Sequence, residues 1–258
     1  MLEFISQVAK EAGILAMEKR KTLSQEAIYT KMTETDLVTD ADRAVETFIR
    51  KKLVAKTSDY SFYGEEFGKS GNSPWCWVID PIDGTISYVH DQPFWGVSIG
   101  LHYEGKPVYG AVYFPRMDEL FTAEKGKGAF LNGKQIHTVE RENLLECCLA
   151  TGFSCVRAKR TPDNFEVVPE IVRQVRGFRR TGSAAMDICY LACGRFDGYW
   201  ELCLAPYDIG AAWLIAEEAG AIMTDLTGGN EFPQKGTLAA TPKIHAQLLK
   251  YFIAKSIF

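Results

Sequence analysis

No stretch of this 258-residue chain runs to about 18 consecutive apolar residues, so nothing in it is built to cross a bilayer as a helix. Neither charge sign dominates. There are 29 Lys and Arg against 33 Asp and Glu, a net charge of −4, and that balance gives no support to nucleic acid as the main partner. The opening Met1-Leu2-Glu3-Phe4-Ile5 begins an amphipathic pattern, not the basic-then-apolar pattern of a secretory leader. An even count of cysteines is missing too. The seven cysteines, at 76, 147, 148, 155, 189, 193 and 203, lie mostly in apolar segments. An odd number without a leader argues for reduced core thiols and a cytoplasmic location. Cys189 and Cys193 share a helical face, but no second pair at zinc-like spacing accompanies them. Lys125-Gly126-Lys127-Gly128 lacks the spacing and the Lys-Ser/Thr ending of a P-loop and reads as a solvated turn. Cys155-Val156-Arg157 falls short of the Arg-rich loop that thiol-based phosphatase chemistry requires. The sequence shows no internal repeat and no low-complexity linker.

What remains is ordinary globular material, 47% hydrophobic and 24% charged, long enough for one large core or two smaller lobes. Residues 2–19 read as a helix with Ile5, Val8, Ala12 and Leu15 inward. Residues 40–56 read as a second, with Thr39 or Asp40 as its N-cap. A short strand at 60–63 ends at Gly64-Glu65-Glu66, and 94–131 alternates apolar runs with turns as an antiparallel meander. The second half changes to an α/β rhythm. It reads as strands at 145–152, 196–204 and 221–225 and helices at 164–176, 184–194, 207–219 and near 242–255. A soft boundary at Glu140-Arg141-Glu142-Asn143 divides an α+β lobe, 1–140, from an α/β lobe, 141–258.

Asp80-Pro81-Ile82-Asp83-Gly84-Thr85 is the densest chemistry in the chain. It follows the apolar strand Trp75-Cys76-Trp77-Val78-Ile79, so its carboxylates sit at a strand's C-terminal end, where α/β proteins commonly bind ligands. Pro81 stiffens the loop, letting Asp80 and Asp83 converge. Converging carboxylates repel unless something positive lies between them, and no Lys or Arg is adjacent in sequence. A hard divalent cation fills that role, with the Gly84 and Thr85 N–H groups and the Thr85 hydroxyl beside it for a phosphate oxygen. An Asp-Pro…Asp-Gly turn is the plainer alternative. Asp208, opening an apolar helix after Pro206, and Asp42, in the first turn of its own helix, also have plain capping explanations.

Taken together, these segments resemble one family. Trp77-Val78-Ile79-Asp80-Pro81-Ile82-Asp83-Gly84-Thr85 looks like the first signature of the inositol monophosphatase family. Pro206-Tyr207-Asp208-Ile209-Gly210-Ala211-Ala212, continuing to Gly220, looks like the second. Gly64-Glu65-Glu66 resembles its upstream metal-binding glutamate and Asp36-Leu37-Val38-Thr39-Asp40-Ala41-Asp42 its N-terminal acidic segment. Phe178-Arg179-Arg180-Thr181-Gly182-Ser183-Ala184-Ala185 is similar to a segment of bacterial members. The departures are Tyr207 for tryptophan, Ile86-Ser87-Tyr88 after Asp-Gly-Thr, the order Gly210-Ala211-Ala212, and Ala221 for glycine. None removes an acidic residue. The resemblance implies an α+β fold, a layered αβαβα sandwich of the inositol monophosphatase and fructose-1,6-bisphosphatase type. It implies Mg²⁺ as cofactor, one ion held by Glu65, Asp80 and the Ile82 carbonyl and a second by Asp80, Asp83 and Asp208. Gly84 and Thr85 would bind phosphate. Glu65, Thr85 and Asp42 would be catalytic, with Thr85 and Asp42 taking the proton of the attacking water.

Substrate contacts follow from the same resemblance. Gly182, Ser183, Ala184, Asp208 and Glu201, seven residues before Asp208, would face a small polyol phosphate. The expected activity is Mg²⁺-dependent, lithium-sensitive hydrolysis of inositol monophosphate or a similar ester by a homodimer. Fructose 1,6-bisphosphate, histidinol phosphate and a nucleotide 3′-phosphate are the competing substrates, and a regulatory protein that keeps the fold is the competing class. Arg173, Arg176, Arg179 and Arg180 form a basic cluster suited to an anionic substrate, a solvated face or a subunit contact. The four histidines, 90, 102, 137 and 245, fall outside every motif and read as structural or exposed.

Overall fold

A computed structural model describes residues 1–24, 28–30 and 37–257. Asp36, the first residue of the N-terminal acidic segment, lies outside the described residues. Helix α1 (Leu2–Lys21) buries Ile5, Val8, Ala9, Ala12 and Ala16. It carries Glu3 in its first turn and Lys19, Arg20 and Lys21 in its last, each sign matched to the helix dipole. A short pair, β1 (Ile28–Thr30) with β2 (Leu37–Thr39), leads into α2 (Asp40–Val54). Thr39 caps α2 in a capping box completed by Asp42.

The chain then builds β3 (Ser61–Gly64), β4 (Gly68–Ser70), β5 (Trp75–Asp83), α3 (Thr85–Val89), β6 (Gly96–Tyr103), β7 (Lys106–Phe114), β8 (Glu119–Glu124), β9 (Ala129–Leu131) and β10 (Lys134–Ile136). These strands form an eight-stranded sheet in the order β10-β9-β8-β7-β6-β5-β3-β4. The meander expected from residue 94 onward is its antiparallel half. The second half contributes β11 (Cys148–Thr151), α4 (Ser154–Arg157), α5 (Val168–Ile171), β12 (Gly177–Arg179), α6 (Ala184–Ala192) and β13 (Gly198–Glu201). It continues with α7 (Pro206–Ile209), α8 (Ala212–Glu218), β14 (Ile222–Thr224), β15 (Thr237–Ala240) and α9 (Pro242–Lys255). Its five strands run β12-β11-β13-β15-β14, parallel about β11 and antiparallel about β15.

Apolar patterning stacks these elements in five layers. Val8, Val45, Ile49 and Leu53 of α1 and α2 pack on Trp77, Ile79, Val97 and Ile99 across one face of the large sheet. On the opposite face, Ile188 and Leu191 of α6 and Leu214 and Ile215 of α8 meet Val112, Phe114 and Phe121. Helix α6 also touches β11, β13 and β15, so it fills the space between the two sheets. Ile244, Leu248 and Phe252 of α9 close the far side over Leu149, Trp200 and Leu238. The order is helix, sheet, helix, sheet, helix, the expected α+β sandwich.

Several local expectations change. Residues 164–176 do not make one helix. The segment breaks into two 3₁₀ turns around the four-residue α5. Pro169 lacks a donor there, and Val167, Val168 and Val172 are β-branched, so a continuous helix is disfavoured. The helix expected over 207–219 is split at Gly210-Ala211 into α7 and α8. Strand β5 continues through the acidic motif to Asp83, with a register shift between Asp80, opposite Ser98, and Asp83, opposite Gly96. Strands β12 and β15 carry no strong sequence signal and complete the second sheet.

Candidate active site

Three placements bring the acidic residues together. Strands β3 and β5 are parallel, with Gly64 beside Ile79. Glu65 donates its N–H to the Ile79 carbonyl at 3.2 Å, so Glu65 and Asp80 leave adjacent strands at the same end. The register shift carries Asp83 beyond them. Asp208 arrives from the other half of the chain because α7 and the start of α8 press against the large sheet. A Cβ on Gly100 would lie 2.9 Å from the Gly210 carbonyl, and one on Gly110 would lie 2.7 Å from that of Ala211. Only glycine permits that approach. His102, expected to be structural, lies under the same junction with Nε2 2.8 Å from the Gly210 carbonyl.

The result is a cavity of about 650 Å³, within the usual range for a small-molecule site. Glu65, Asp80, Asp83 and Asp208 line it together with Ile82, Gly84, Thr85, Gly182, Ala184 and Glu201. Asp42 is fully buried, held by the Thr39 N–H at 2.8 Å and the Thr39 hydroxyl at 2.7 Å on Oδ2. Its Oδ1 lies 3.4 Å from Thr85 Oγ1, which is also 3.2 Å from the Ile82 carbonyl, so the threonine proton serves one of the two at a time. Gly84 adopts φ +94° as the cap of α3, a left-handed conformation that turns the chain from β5 into the helix. Ser183, buried at the N-cap of α6, reaches the site through Asp83. Its hydroxyl donates to Asp83 Oδ2, and the N–H groups of Ala184 and Ala185 donate to the same carboxylate at 3.2 and 2.8 Å. Asp208 Oδ2 accepts the Ala205 N–H, the capping role foreseen as its plain alternative.

The electrostatics are those of crowded acids. Burial, then the nearby Glu65, Asp83 and Asp208 charges, pushes Asp80 well above the ordinary carboxylate range. Burial followed by Glu65 does the same to Asp208. Asp83 rises to about 7, mainly from burial, against the opposing bonds from Ser183, Ala185 and Ala184. Asp42 also rises to about 7, from burial and then from Glu65. Cations absent from the neighbouring sequence do reach the cavity: Arg157 and Arg180 line it. Among the described residues neither is within ion-pair distance of a carboxylate.

Comparison with known proteins identifies the fold's lineage. The model of the inositol monophosphatase family matches residues 1–256. The chain belongs to the inositol monophosphatase family. It is 38% identical over 253 residues to the inositol-1-monophosphatase of Synechocystis sp., covering 94% of this chain and 86% of that protein. It is 36% identical over 243 residues to the Nus factor SuhB of Vibrio cholerae, covering 93% and 91%. Among solved structures, the inositol monophosphatase from Anabaena superposes with a TM-score of 0.89 at 32% identity, covering 100% of this chain and 96% of that one.

Whether Mg²⁺ suits this family member's site can be judged from the donors. All are hard oxygens: four carboxylates and the Ile82 carbonyl. Mg²⁺ takes one or two carboxylates and keeps several waters, so four acids suffice for more than one ion. Burial first, and mutual repulsion second, raise Asp80 and Asp208, and a divalent cation offsets both. The donor set therefore fits the group. Among the described residues no three or more Asp, Glu, His or Cys side chains are gathered closely enough to hold a metal ion as they stand. The hydrogen bonds show why, since Asp83 is turned onto α6, Asp208 onto Ala205 and Asp80 Oδ1 onto the Ile82 N–H at 3.1 Å.

Some residues that support the candidate site carry little signal in the sequence. Glu46 is fully buried on α2 and accepts the Glu66 N–H and the Arg50 Nε, each at 2.7 Å, which pins the strand end bearing Glu65. Its apolar-face position in α2 is its only clue. Ser154 and Tyr199 hold Glu201, their hydroxyls donating to its carboxylate at 2.7 and 2.8 Å.

Proposed function

We propose that the chain is a Mg²⁺-dependent phosphomonoesterase for inositol monophosphate or a similar small polyol phosphate. The observation that carries this reading is the convergence of Glu65, Asp80, Asp83 and Asp208 on one cavity beside Gly84 and Thr85. Glu65, Asp80 and the Ile82 carbonyl would hold one ion, and Asp80, Asp83 and Asp208 the other. Residues 1–140 then form the lobe with most metal ligands, and 141–258 the lobe that brings Asp208. Bound Mg²⁺ supplies neutralisation of phosphoryl charge and acidification of water.

The chain's own groups do the rest. The Gly84 and Thr85 N–H groups hold phosphoryl oxygens as charge builds on them. Water's oxygen bonds to phosphorus as the ester P–O bond breaks, and the alcohol oxygen leaves with a proton. Asp42 suits the proton-accepting role through Thr85, whose hydroxyl oxygen lies 3.4 Å from its Oδ1 beside the cavity. Gly182 and Ala184 line the cavity and would face the polyol, with Ser183 behind them on Asp83. Li⁺ and excess Ca²⁺ should inhibit, the latter because its longer, looser coordination misplaces water.

Phosphate release from inositol 1-phosphate, with and without Mg²⁺, tests the reading. Mg²⁺-dependent turnover is expected, and none at any Mg²⁺ concentration would sink it. The second reading, a regulatory protein that keeps the fold, is favoured by one observation: relatives as similar as the enzymes carry the name Nus factor. Fructose 1,6-bisphosphate and histidinol phosphate belong in the same substrate panel. A cytoplasmic homodimer is part of the proposal. Exposed Leu145, Val156, Phe165 and Val172 give the second half apolar surface for a two-fold contact. A monomeric mass by light scattering at micromolar concentration would overturn it. Among the described residues no helix is long and apolar enough to cross a membrane.

A further inference from the structure

The segments that carry the acids also wall a second cavity. Its volume is about 530 Å³, again within the range for a small-molecule site, and it shares no lining residue with the first. Tyr63, Val78 and Ile209 line it, each within two residues of Glu65, Asp80 or Asp208. The two cavities are therefore neighbours built on β3, β5 and α7, yet their chemistry is opposite.

Phe62, Tyr63, Trp213 and Phe232 give the second cavity aromatic walls, with Trp213 edge-on to Phe232 at 4.6 Å between ring centroids. Among the described residues no Asp or Glu lines it. Burial holds His102 below its ordinary value, so that ring is neutral at pH 7. The full charge on the lining belongs to Lys69 of β4, whose Nζ lies 4.6 Å from the Tyr63 ring centroid. Among the described residues Lys69 has no carboxylate within ion-pair distance. Trp213 Nε1 is buried without a hydrogen-bond partner among them, so this wall is short of acceptors as well. A flat apolar ring bearing one negative charge complements such a lining. One ammonium balances a carboxylate, whereas a phosphate monoester would bring more charge than it can match. We infer that this cavity binds a small aromatic carboxylate, its ring among the four aromatic side chains and its carboxylate toward Lys69. The site is separate from the phosphomonoesterase reading and stands or falls without it.

Cys76 of β5 is half-buried on the same lining and reports occupancy. Burial pushes its thiol up, so it is alkylated slowly, at mildly alkaline pH. Cys203, exposed at the acidic cavity, is the internal control. The probe is 2-naphthoate, with 2-naphthalenemethanol as its uncharged counterpart, on EDTA-treated protein so that no metal ion attracts the carboxylate. Calorimetry should show one saturable site for 2-naphthoate. At about ten times the dissociation constant, iodoacetamide labelling of Cys76, followed by peptide mass spectrometry, should slow by about tenfold, as mass action requires of a covered thiol. Labelling of Cys203 should not change. Lys69 is exposed, so Lys69→Met tests the charge with the fold intact. It should weaken 2-naphthoate by about fivefold, the worth of an exposed ion pair, and leave 2-naphthalenemethanol unchanged. Absence of binding at millimolar probe, protection of Cys203 in place of Cys76, or equal 2-naphthoate affinity in Lys69→Met overturns the inference. So does protection of Cys76 that grows with protein concentration and needs no probe, because the cavity would then be a contact between copies of the chain.

Discussion

Asp83 works in two directions. One is toward the cavity, where it is a candidate ligand. The other is toward α6, whose first N–H groups and Ser183 hydroxyl it accepts. Asp208 has a lighter structural task, a single bond from Ala205. The two therefore separate function from stability. Asp208→Asn should lower Mg²⁺-dependent hydrolysis by at least about a hundredfold, beyond the 10–100-fold typical of losing an outer partner of a metal ligand. Its melting temperature should change little. Asp83→Asn should match that loss and also destabilise the fold by roughly 1–3 kcal/mol, because an amide NH₂ would face buried donors. Urea denaturation of both variants beside a phosphate-release assay checks the pair. Equal stability in the two would show that Asp83 does not anchor α6.

At the level of elements, the clearest sequence signals were local ones. Helix α2 was legible because Thr39 and Asp42 stand at N-cap and N3 before an apolar stripe. Strand β5 was legible as an unbroken apolar run, the mark of a strand covered on both faces. What stayed hidden depends on contacts between distant residues. Ser154 meets Glu201 across 47 positions, and no periodicity encodes that. The split between α7 and α8 answers to the sheet beneath it, which the helix pattern of 207–219 does not report. Glu46 belongs to this hidden class. Removing it would take the carboxylate partner from Arg50 and the side-chain acceptor from the Glu66 N–H. Glu46→Ala should cost about 3 kcal/mol, as breaking a buried ion pair does. It should also weaken the apparent Mg²⁺ affinity by about tenfold or more by loosening the turn at Glu65. A Mg²⁺ titration of activity, read against unfolding curves, separates these effects, and an unchanged Mg²⁺ midpoint would remove Glu46 from any role at the site.

For the whole molecule, crowded acids set a pH dependence with a definite sign. Asp42 and Asp83 move from an ordinary value near 3.8 to about 7 in the folded state. The folded protein then binds more protons than the unfolded chain between those values. Their contribution is fully present below about 3.8 and is lost as pH rises through about 7. Burial holds His102 and His245 below their ordinary value, so they run the other way, and they do not depend on Mg²⁺. The rise in melting temperature on adding Mg²⁺ to EDTA-treated protein therefore isolates the carboxylates. It should be small at pH 5 and grow steadily to pH 8. A rise independent of pH over that range would mean that the ion binds elsewhere.

The close approach of Gly210 and Ala211 to the glycines of the large sheet has a kinetic consequence. Glu65, Asp80 and Asp83 lie within one stretch of chain, but Asp208 follows more than a hundred residues later in the sequence. Closing a loop of that size before its contacts form is slow, since entropy is lost first. During refolding, the large sheet should acquire its tryptophan fluorescence signal, from Trp77 and Trp95, before the molecule can hydrolyse anything. Regain of activity should follow the latest phase, when the α7–α8 junction docks. A bulkier residue at Gly110 should delay that docking while leaving the early fluorescence phase in place, so the enzyme's own turnover becomes a clock for the last step of its assembly.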